Sequence, residues 1–354
     1  MGEKVLMKGN EAIGEAAIRS GCRHFFGYPI TPQTELSAYM AKKMPKIGGV
    51  FLQAESEVAA INMVYGAAGA GARAMTSSSS PGISLKSEGI SYIAGADLPC
   101  VIVDIVRGGP GLGGIQPAQS DYFQATKGGG HGDYHLLVFA PNSVQEIVSL
   151  VADAFNKSDE YRVPAMILGD GTLGQMMEPV DFDSVPEACP AQKDWATTGT
   201  KLKREHNIVN SLYLSPEELE KTIIERQKRY DIIKEKEQRY EAHDIEDADI
   251  IVTAYGTTSR VVESAVKTVR AEGLKVGVIR PITLWPFPEK IFSEAADTAK
   301  AFLSVEMSMG QMVEDVKIAV NGKADVHFFG RTGGIIPTPQ EIAEEIRKIA
   351  GGLR

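Results

Sequence analysis

Residues 49–82 have the sequence GVFLQAESEVAAINMVYGAAGAGARAMTSSSSPG, from which the fold class follows most directly. This segment predicts a strand at 49–53, a helix at 58–72 and a second strand at 74–76. A strand, a helix and a strand in succession are typical of a parallel sheet with crossover connections. The helix is rich in alanine and glycine, so we expect close packing against it, from another subunit or within a dense core.

Strands and helices alternate on both sides of this unit, which predicts an α/β fold with a parallel sheet covered on both faces. We therefore predict a first domain over residues 1–178. Its other predicted helices lie at 10–20, 33–43, 83–95 and 143–155, and its other predicted strands at 23–27, 100–106, 136–139 and 165–169.

The rest of the chain is predicted to form a charged segment and a second α/β domain. Residues 179–248 carry the charged segment, in which Ser215-Pro216 starts a helix that we expect to run to about His243. Residues 249–354 form the second domain. Its predicted strands lie at 249–255, 275–279, 301–305 and 326–329, and its helices at 258–272, 289–298, 311–320 and 340–349.

Composition excludes several classes of function. A net charge of -9 argues against nucleic acid as the main partner, because phosphate binding needs clustered Lys and Arg. Three dispersed cysteines, Cys22, Cys100 and Cys189, cannot hold a Cys-ligated iron–sulfur cluster or a disulfide framework. The polar start, Met1–Gly14, has no signal-peptide pattern, and no apolar run is long enough to span a membrane. We expect a cytoplasmic protein.

Two residues are candidates for chemistry by position. Glu57 opens the small-residue helix, where the helix N-terminus favours a carboxylate, and Glu55 has an equal claim. Arg107 follows the strand at 100–106, and ligands bind at the carboxyl ends of parallel strands. Its planar guanidinium suits a carboxylate. Simple helix-start stabilisation and a structural arginine are the alternatives.

Three further motifs are weak. Residues 109–114 match the dinucleotide pattern G-x-G-x-x-G, but Pro117 follows where a helix should begin, which favours a flexible loop. The segment 131–135 has two histidines at a spacing that fits no zinc pattern. Gly169-Asp170-Gly171 resembles the start of a magnesium–diphosphate motif, but the next asparagine, Asn207, is too distant. We predict a turn there and no metal site on this chain.

Five segments resemble, in order and spacing, the alpha subunit of 2-oxoacid:ferredoxin oxidoreductases. They are Gly27–Pro32 (GYPITP), Gln53–Ala60 (QAESEVAA), Thr76–Gly82 (TSSSSPG), Val106–Pro110 (VRGGP) and Gln119–Asp121 (QSD). Residues 111–117 and 127–133 are most similar to the branched-chain members of that family, which act on 3-methyl-2-oxobutanoate. The 2-oxoglutarate members usually carry a different sequence after the Gly-Gly-Pro.

The resemblance implies two parallel-sheet domains: a pyrimidine-binding domain of the thiamine diphosphate-binding fold, then a transketolase C-terminal-like domain. It implies oxidative decarboxylation of a 2-oxoacid to acyl-coenzyme A and CO₂, with electrons passed to ferredoxin. Thiamine diphosphate would be shared with a beta subunit that carries the diphosphate and Mg²⁺ site. Iron–sulfur clusters would lie on the beta and ferredoxin-like subunits, beside a gamma subunit, so this chain would be inactive alone.

The resemblance also assigns site residues. Glu57 is implied as the catalytic residue that contacts the cofactor's pyrimidine, and Tyr28, Pro29 and Ile30 as its other cofactor contacts. Thr31 and Arg107 are implied to hold the substrate carboxylate.

Three alternatives remain open: a 2-oxoglutarate member of the family, a split thiamine enzyme without ferredoxin, and a non-catalytic dinucleotide-binding subunit.

Overall fold

A computed structural model describes residues 4–353 of the chain. Met1–Glu3 and Arg354, which the two predicted domains include, lie outside the described residues. The strands are β1 (Val5–Lys8), β2 (His24–Gly27), β3 (Val50–Gln53), β4 (Ala74–Ser78), β5 (Val101–Val106), β6 (Leu137–Phe139), β7 (Ala165–Asp170), β8 (Met177–Val180), β9 (Tyr240–His243), β10 (Ile250–Thr253), β11 (Val276–Pro281), β12 (Thr283–Trp285), β13 (Ala301–Glu306) and β14 (Asp325–Gly330).

The helices alternate with these strands as the sequence predicts. They are α1 (Gly9–Arg19), α2 (Thr34–Lys43), α3 (Glu57–Gly69), α4 (Ser80–Gly95), α5 (Tyr122–Thr126), α6 (Val144–Tyr161), α7 (Gly171–Gln175), α8 (Pro216–Lys236), α9 (Gly256–Ala271), α10 (Glu289–Ala295), α11 (Met312–Val320) and α12 (Pro339–Gly352). No helix in residues 4–353 is both long enough and apolar enough to cross a bilayer.

The first sheet has seven strands in the order β12-β6-β7-β5-β4-β2-β3. Every neighbouring pair is parallel except β12 with β6. All residues of β5 and β7 are buried, as their apolar runs predict. This arrangement confirms the predicted α/β fold. The antiparallel edge strand β12, however, comes from the predicted second domain, so the chain returns to the first sheet late.

The second sheet has the order β14-β13-β10-β11-β9, with β9 antiparallel to β11. The prediction that the helix in the charged segment runs to about His243 is wrong. Helix α8 ends at Lys236, and Tyr240–His243 form β9. The free edge of β11 offers backbone hydrogen bonds to this segment, and tertiary pairing overrides local helix propensity. The predicted divisions at residues 178 and 248 stay a prediction.

The predicted flexible loop after β5 is tied to the second half of the chain. Gln119, only 2% exposed, donates from Nε2 to the carbonyl oxygen of Tyr255 at 2.8 Å. Its Oε1 accepts from Thr258 Oγ1 at 2.9 Å and from the backbone nitrogen of Met307 at 3.0 Å. The next segment of the chain forms α5 instead of continuing as loop. One side chain therefore fixes this stretch against two segments beyond residue 250, the start of α9 and the residue after β13.

Candidate functional site

The carboxyl ends of four adjacent parallel strands meet at one edge of the first sheet, in the order β5-β4-β2-β3. The turn 28–32 follows β2, Glu57 follows β3, the serine run 77–80 ends β4, and Arg107 follows β5. Because ligands of parallel sheets bind at such an edge, the fold gathers every candidate segment where a site is expected.

The serine run connects these segments. Ser77 Oγ donates to Gln33 Oε1 at 2.7 Å, and Gln33 Nε2 donates to the carbonyl oxygen of Tyr28 at 3.3 Å, which links the run to the turn after β2. At its other end, Ser80 Oγ accepts from the backbone nitrogen of Arg107 at 3.1 Å. The run thus links the segments that follow β2 and β5 by hydrogen bonds.

Glu57 lies beside the serine run and is buried, with 6% of its surface exposed. Ser56 caps α3 by accepting from the backbone nitrogen of Ala59 at 3.2 Å, so the carboxylate sits on the first turn of a capped helix. A Cβ at Gly82 would lie 2.8 Å from Glu57 Oε1, so only glycine lets α4 approach this carboxylate. Glu55, by contrast, is exposed. Burial therefore separates two glutamates that the sequence left equivalent.

Arg107 and Thr31 lie together, as expected. Arg107 is 8% exposed, and its Nη1 donates to the backbone carbonyl oxygen of Thr31 at 3.1 Å. Its Nη2 donates to the carbonyl oxygen of Leu112 at 3.4 Å, while its Nε has no partner among residues 4–353. Thr31 is exposed, so its hydroxyl is accessible beside the guanidinium. The pair presents a cation and a hydroxyl at the same edge as Glu57.

A pair of acidic residues at this edge was missed in the sequence. Asp104 accepts from the backbone nitrogen of Ser80 at 3.1 Å, and Asp121 accepts from Ser80 Oγ. Burial and the Asp121 charge raise the pKa of Asp104 well above its ordinary value, and burial raises the pKa of Asp121. The sequence signal that could have revealed this pair is Asp104 itself, a charged residue inside the otherwise apolar strand VIVDIV.

Several buried polar atoms at the site have no partner among the described residues. They include Ser78 Oγ, Ser79 Oγ and Lys86 Nζ. A buried polar group without a partner is costly, so native proteins rarely keep one unless a ligand, water or partner chain satisfies it. Ser78 Oγ lies beside Gly82, the residue that brings α4 against Glu57, so unsatisfied polar groups occur close to this carboxylate.

The weak motifs have structural roles. Asp170 Oδ1 accepts from the backbone nitrogens of Thr172 at 2.8 Å and Leu173 at 3.0 Å, and so caps α7. Gly169 and Asp170 end β7 and Gly171 begins α7, so a direct strand-to-helix junction stands where a turn was predicted. Residues 109–114 are followed by turns instead of a helix, so the dinucleotide alternative lacks its phosphate-binding helix.

The histidine segment is used in packing. His135 stacks on Trp285 with ring centroids 4.3 Å apart, and burial lowers the pKa of His135 to about 4. The imidazole is therefore neutral at pH 7 and serves as an aromatic contact. In residues 4–353 no three His, Cys, Asp or Glu side chains are clustered as a metal site would need.

Comparison with known proteins gives the class. Residues 15–254 match the family described as pyruvate flavodoxin/ferredoxin oxidoreductase, thiamine diphosphate-binding, and residues 248–342 match pyruvate:ferredoxin oxidoreductase core domain II. An inactive split-gene transketolase tetramer has the same fold, with a TM-score of 0.61 at 15% identity. The chain therefore shares the fold of that transketolase, and its family match is to thiamine diphosphate-binding oxidoreductase chains.

Relatives over the whole length give the family. The chain is 51% identical over 346 residues to ketoisovalerate oxidoreductase subunit VorB of Methanothermobacter marburgensis, covering 98% of both. It is 38% identical over 379 residues to the 2-oxoglutarate synthase subunit KorA of the same organism, covering 98% of this chain and 99% of that subunit. The chain belongs to the 2-oxoacid:ferredoxin oxidoreductase family, which confirms the resemblance.

A solved structure agrees with this assignment. The 2-oxoglutarate:ferredoxin oxidoreductase of Magnetococcus marinus, solved with 2-oxoglutarate, coenzyme A and succinyl-CoA bound, matches with a TM-score of 0.89 at 29% identity. The match covers 98% of this chain and 65% of that chain, so the present chain spans about two thirds of its neighbour's length.

Gly82→Ala tests the approach of α4 to the carboxylate. The new Cβ would meet Ser78 Oγ at 2.0 Å and Glu57 Oε1 at 2.8 Å, so we expect the free energy of unfolding to fall by about 1–3 kcal/mol. Gly66→Ala is the matched control, because a Cβ there meets nothing within 4 Å. That variant should be as stable as the natural chain or gain up to about 1 kcal/mol. Equal urea unfolding curves for the two variants would contradict the close approach.

Proposed function

We propose that this chain is the alpha subunit of a thiamine diphosphate-dependent 2-oxoacid:ferredoxin oxidoreductase that acts on the branched-chain acid 3-methyl-2-oxobutanoate. Its products would be an acyl-coenzyme A and CO₂, with electrons passed to ferredoxin. The observation that carries the proposal is the buried Glu57, at the strand edge that also holds Arg107, in a chain that aligns end to end with such a subunit.

Glu57 is proposed as the catalytic residue. When bound, thiamine diphosphate supplies the nucleophilic carbon and takes up the electrons that decarboxylation leaves. The Glu57 carboxylate would hold a proton at a ring nitrogen of the pyrimidine, so that proton transfer has a partner inside the protein. Tyr28, Pro29 and Ile30, in the turn tied to the serine run, would line the other side of the ring. The orphaned Ser78 and Ser79 hydroxyls support a polar group there.

Arg107 and Thr31 are proposed to hold the substrate carboxylate. Two of the three Arg107 nitrogens are bound to backbone carbonyl oxygens, which fixes the plane of the guanidinium. Its Nε is buried and has no partner among the described residues, and this unsatisfied donor supports a bound acceptor near the guanidinium. Thr31, whose carbonyl oxygen accepts from Arg107, is exposed, and its hydroxyl would add a second donor.

The diphosphate and its Mg²⁺ are proposed to bind a beta subunit. Asp170, the acidic residue of the Gly-Asp-Gly sequence, is occupied by the α7 backbone and by Thr257. The outer side of the α3–α4 pair supports a partner, because Val58, Leu85 and Tyr92 are 44%, 54% and 39% exposed. Apolar surface of this kind favours burial by another chain.

The iron–sulfur clusters are likewise proposed to lie on the beta and ferredoxin-like subunits, in a complex that also contains a gamma subunit. Burial raises the pKa of Cys22 and Cys100 to about 12, which disfavours the thiolate that binds metal. Cys189 is exposed and is the remaining cysteine. Three free thiols also support the proposed cytoplasmic location.

Glu57→Gln tests the catalytic role. In the complex reconstituted with its partner subunits, we expect the 2-oxoacid-dependent reduction of a dye to fall about a hundredfold or more, because the acid–base partner is lost. Assembly, followed by gel filtration, should survive. Glu55→Gln removes a neighbouring but exposed carboxylate and should keep its activity. Full activity in the Glu57 variant would refute the assignment.

Arg107→Ala tests the carboxylate role. Loss of a charged donor to the substrate should raise KM for the 2-oxoacid about 10- to 100-fold, while KM for coenzyme A stays unchanged. Steady-state kinetics of the complex measure both constants. Arg260→Ala is the control, since Arg260 is half-exposed and pairs with Glu178. An unchanged KM for the 2-oxoacid in the Arg107 variant rejects the role.

A panel of 2-oxoacids tests the substrate. The native complex, co-purified through a tag on this chain, should reduce a dye with the highest kcat/KM on 3-methyl-2-oxobutanoate. One methylene changes selectivity by only about 1–3 kcal/mol, so related branched acids should follow closely. A preference for 2-oxoglutarate would overturn the branched-chain assignment in favour of the 2-oxoglutarate class. Turnover without an iron–sulfur subunit in the purified complex would favour a thiamine enzyme that does not use ferredoxin.

A further inference from the structure

Lys86 is a fully buried lysine on the inner face of α4, with 0% of its surface exposed. Its position on the helix follows from its neighbours. Gly82, one turn earlier, is the residue whose Cβ would meet Glu57 Oε1 at 2.8 Å. Gly89, three residues later, abuts Ile61 of α3, where a Cβ would lie 2.4 Å from Ile61 Cγ2. Residues three and four apart share a helix face, so Lys86 lies between α3 and α4, on the Glu57 side.

The ammonium group of Lys86 has no hydrogen-bond partner among the described residues. Burial lowers the pKa of Lys86 to about 8, and the charge of Glu57 acts in the opposite direction. Glu57 is the one charged group of residues 4–353 that perturbs this ammonium. A buried cation with a single opposite charge nearby is strongly destabilising when that charge is removed.

The other groups around Lys86 carry no charge that competes with Glu57. The remaining buried residues of α3 are Ala60, Ile61, Val64, Ala68 and Gly69. On its own helix, the neighbours on the inner face are Gly82, Ile83, Gly89 and Ile90. The acidic residue of the strand beneath the start of α4, Asp104, is directed to the backbone nitrogen of Ser80.

We infer that Lys86 is a positioning residue: its buried ammonium forms no direct ion pair with Glu57 but lies on the Glu57 side of α4 and acts across the α3–α4 contact as the opposite charge to that carboxylate. This inference rests on the function proposed for Glu57. Lys86 acts through Glu57 and not on the substrate, because its side chain is fully buried. A buried carboxylate is stabilised by a nearby opposite charge, and Lys86 brings one to the contact of two close-packed helices without exposure to solvent.

A double-mutant cycle tests the counter-charge without any assay of activity. Unfolding midpoints are measured on the full chain for Lys86→Met, Glu57→Gln and the double variant. At pH 7 the double variant should lose less than the sum of the single losses, by about 2 °C or more. At about pH 9.5, above the Lys86 pKa of about 8, the ammonium is largely neutral and this non-additivity should disappear.

The sign of the pH dependence follows from proton binding. In the folded chain the pKa of Lys86 is about 8, against 10.5 for an ordinary lysine. Between these two pH values the unfolded chain binds more protons than the folded chain, so the free energy of unfolding rises with pH. The stability gained in this range is lost again as the pH falls to about 8. Lys86→Met should lack the rise. A purely steric role for Lys86 would give the same non-additivity at both pH values, and additivity at pH 7 would also overturn the inference.

Kinetics of the assembled complex complete the test. Lys86→Met should lower kcat about tenfold or more while KM for the 2-oxoacid stays unchanged. Lys193→Met is the matched control, because Lys193 is also mostly buried but lies 2.7 Å from Asp159 at the opposite edge of the sheet. It should change stability and leave kcat unaltered. If Lys86→Met does not fold, Lys86→Gln repeats the cycle with a polar, uncharged side chain.

The outcomes separate the two hypotheses. Non-additive stability losses at pH 7 together with an unchanged kcat for Lys86→Met would show that the two charges interact but that Lys86 has no role in the reaction. Full activity of Glu57→Gln would refute the proposed function, while the stability cycle would still report whether the two charges interact.

Discussion

Burial of the Glu57 carboxylate is the constraint on which the site depends. An acidic group at the start of a helix is ordinary on a surface, where water solvates it. Here the group is 6% exposed, so the surrounding segments must approach it without bulk and without an unmatched charge. Gly82 meets the first requirement by giving α4 no side chain at the point of contact. The lysine one turn further along α4 brings the opposite charge.

The strand order converts distant sequence segments into one site. Because β4 lies between β5 and β2, the serine run that ends β4 contacts the segments at the carboxyl ends of both neighbours. It bonds to Gln33 after β2 and to Arg107 after β5. Small hydroxyl side chains suit this place, since each bonds to the backbone or to an amide without filling the space that a ligand needs. A scaffold of this kind fixes the geometry before any ligand binds.

Much of the fold was predictable, because the central strands are apolar runs that alternate with helix-forming segments. The parts that escaped prediction depend on long-range pairing. Tyr240–His243 come after a charged helix and carry no strand pattern, yet the free edge of β11 makes them a strand. Within the site, the sequence could not separate Glu57 from Glu55, since helix position gives both the same claim. Nothing in the sequence marks Lys86 as enclosed, because its burial depends on the packing of α4 against the rest of the first domain.

The late strand β12 has a consequence for the order of synthesis. Its residues Thr283–Trp285 pair with β6, whose three residues are all buried in the finished sheet. While the ribosome has made only the first 250 residues or so, β6 is an open and apolar edge, the kind of surface that joins to other nascent chains. The N-terminal half cannot close by itself. The first sheet is therefore complete only after residue 285 has been synthesised.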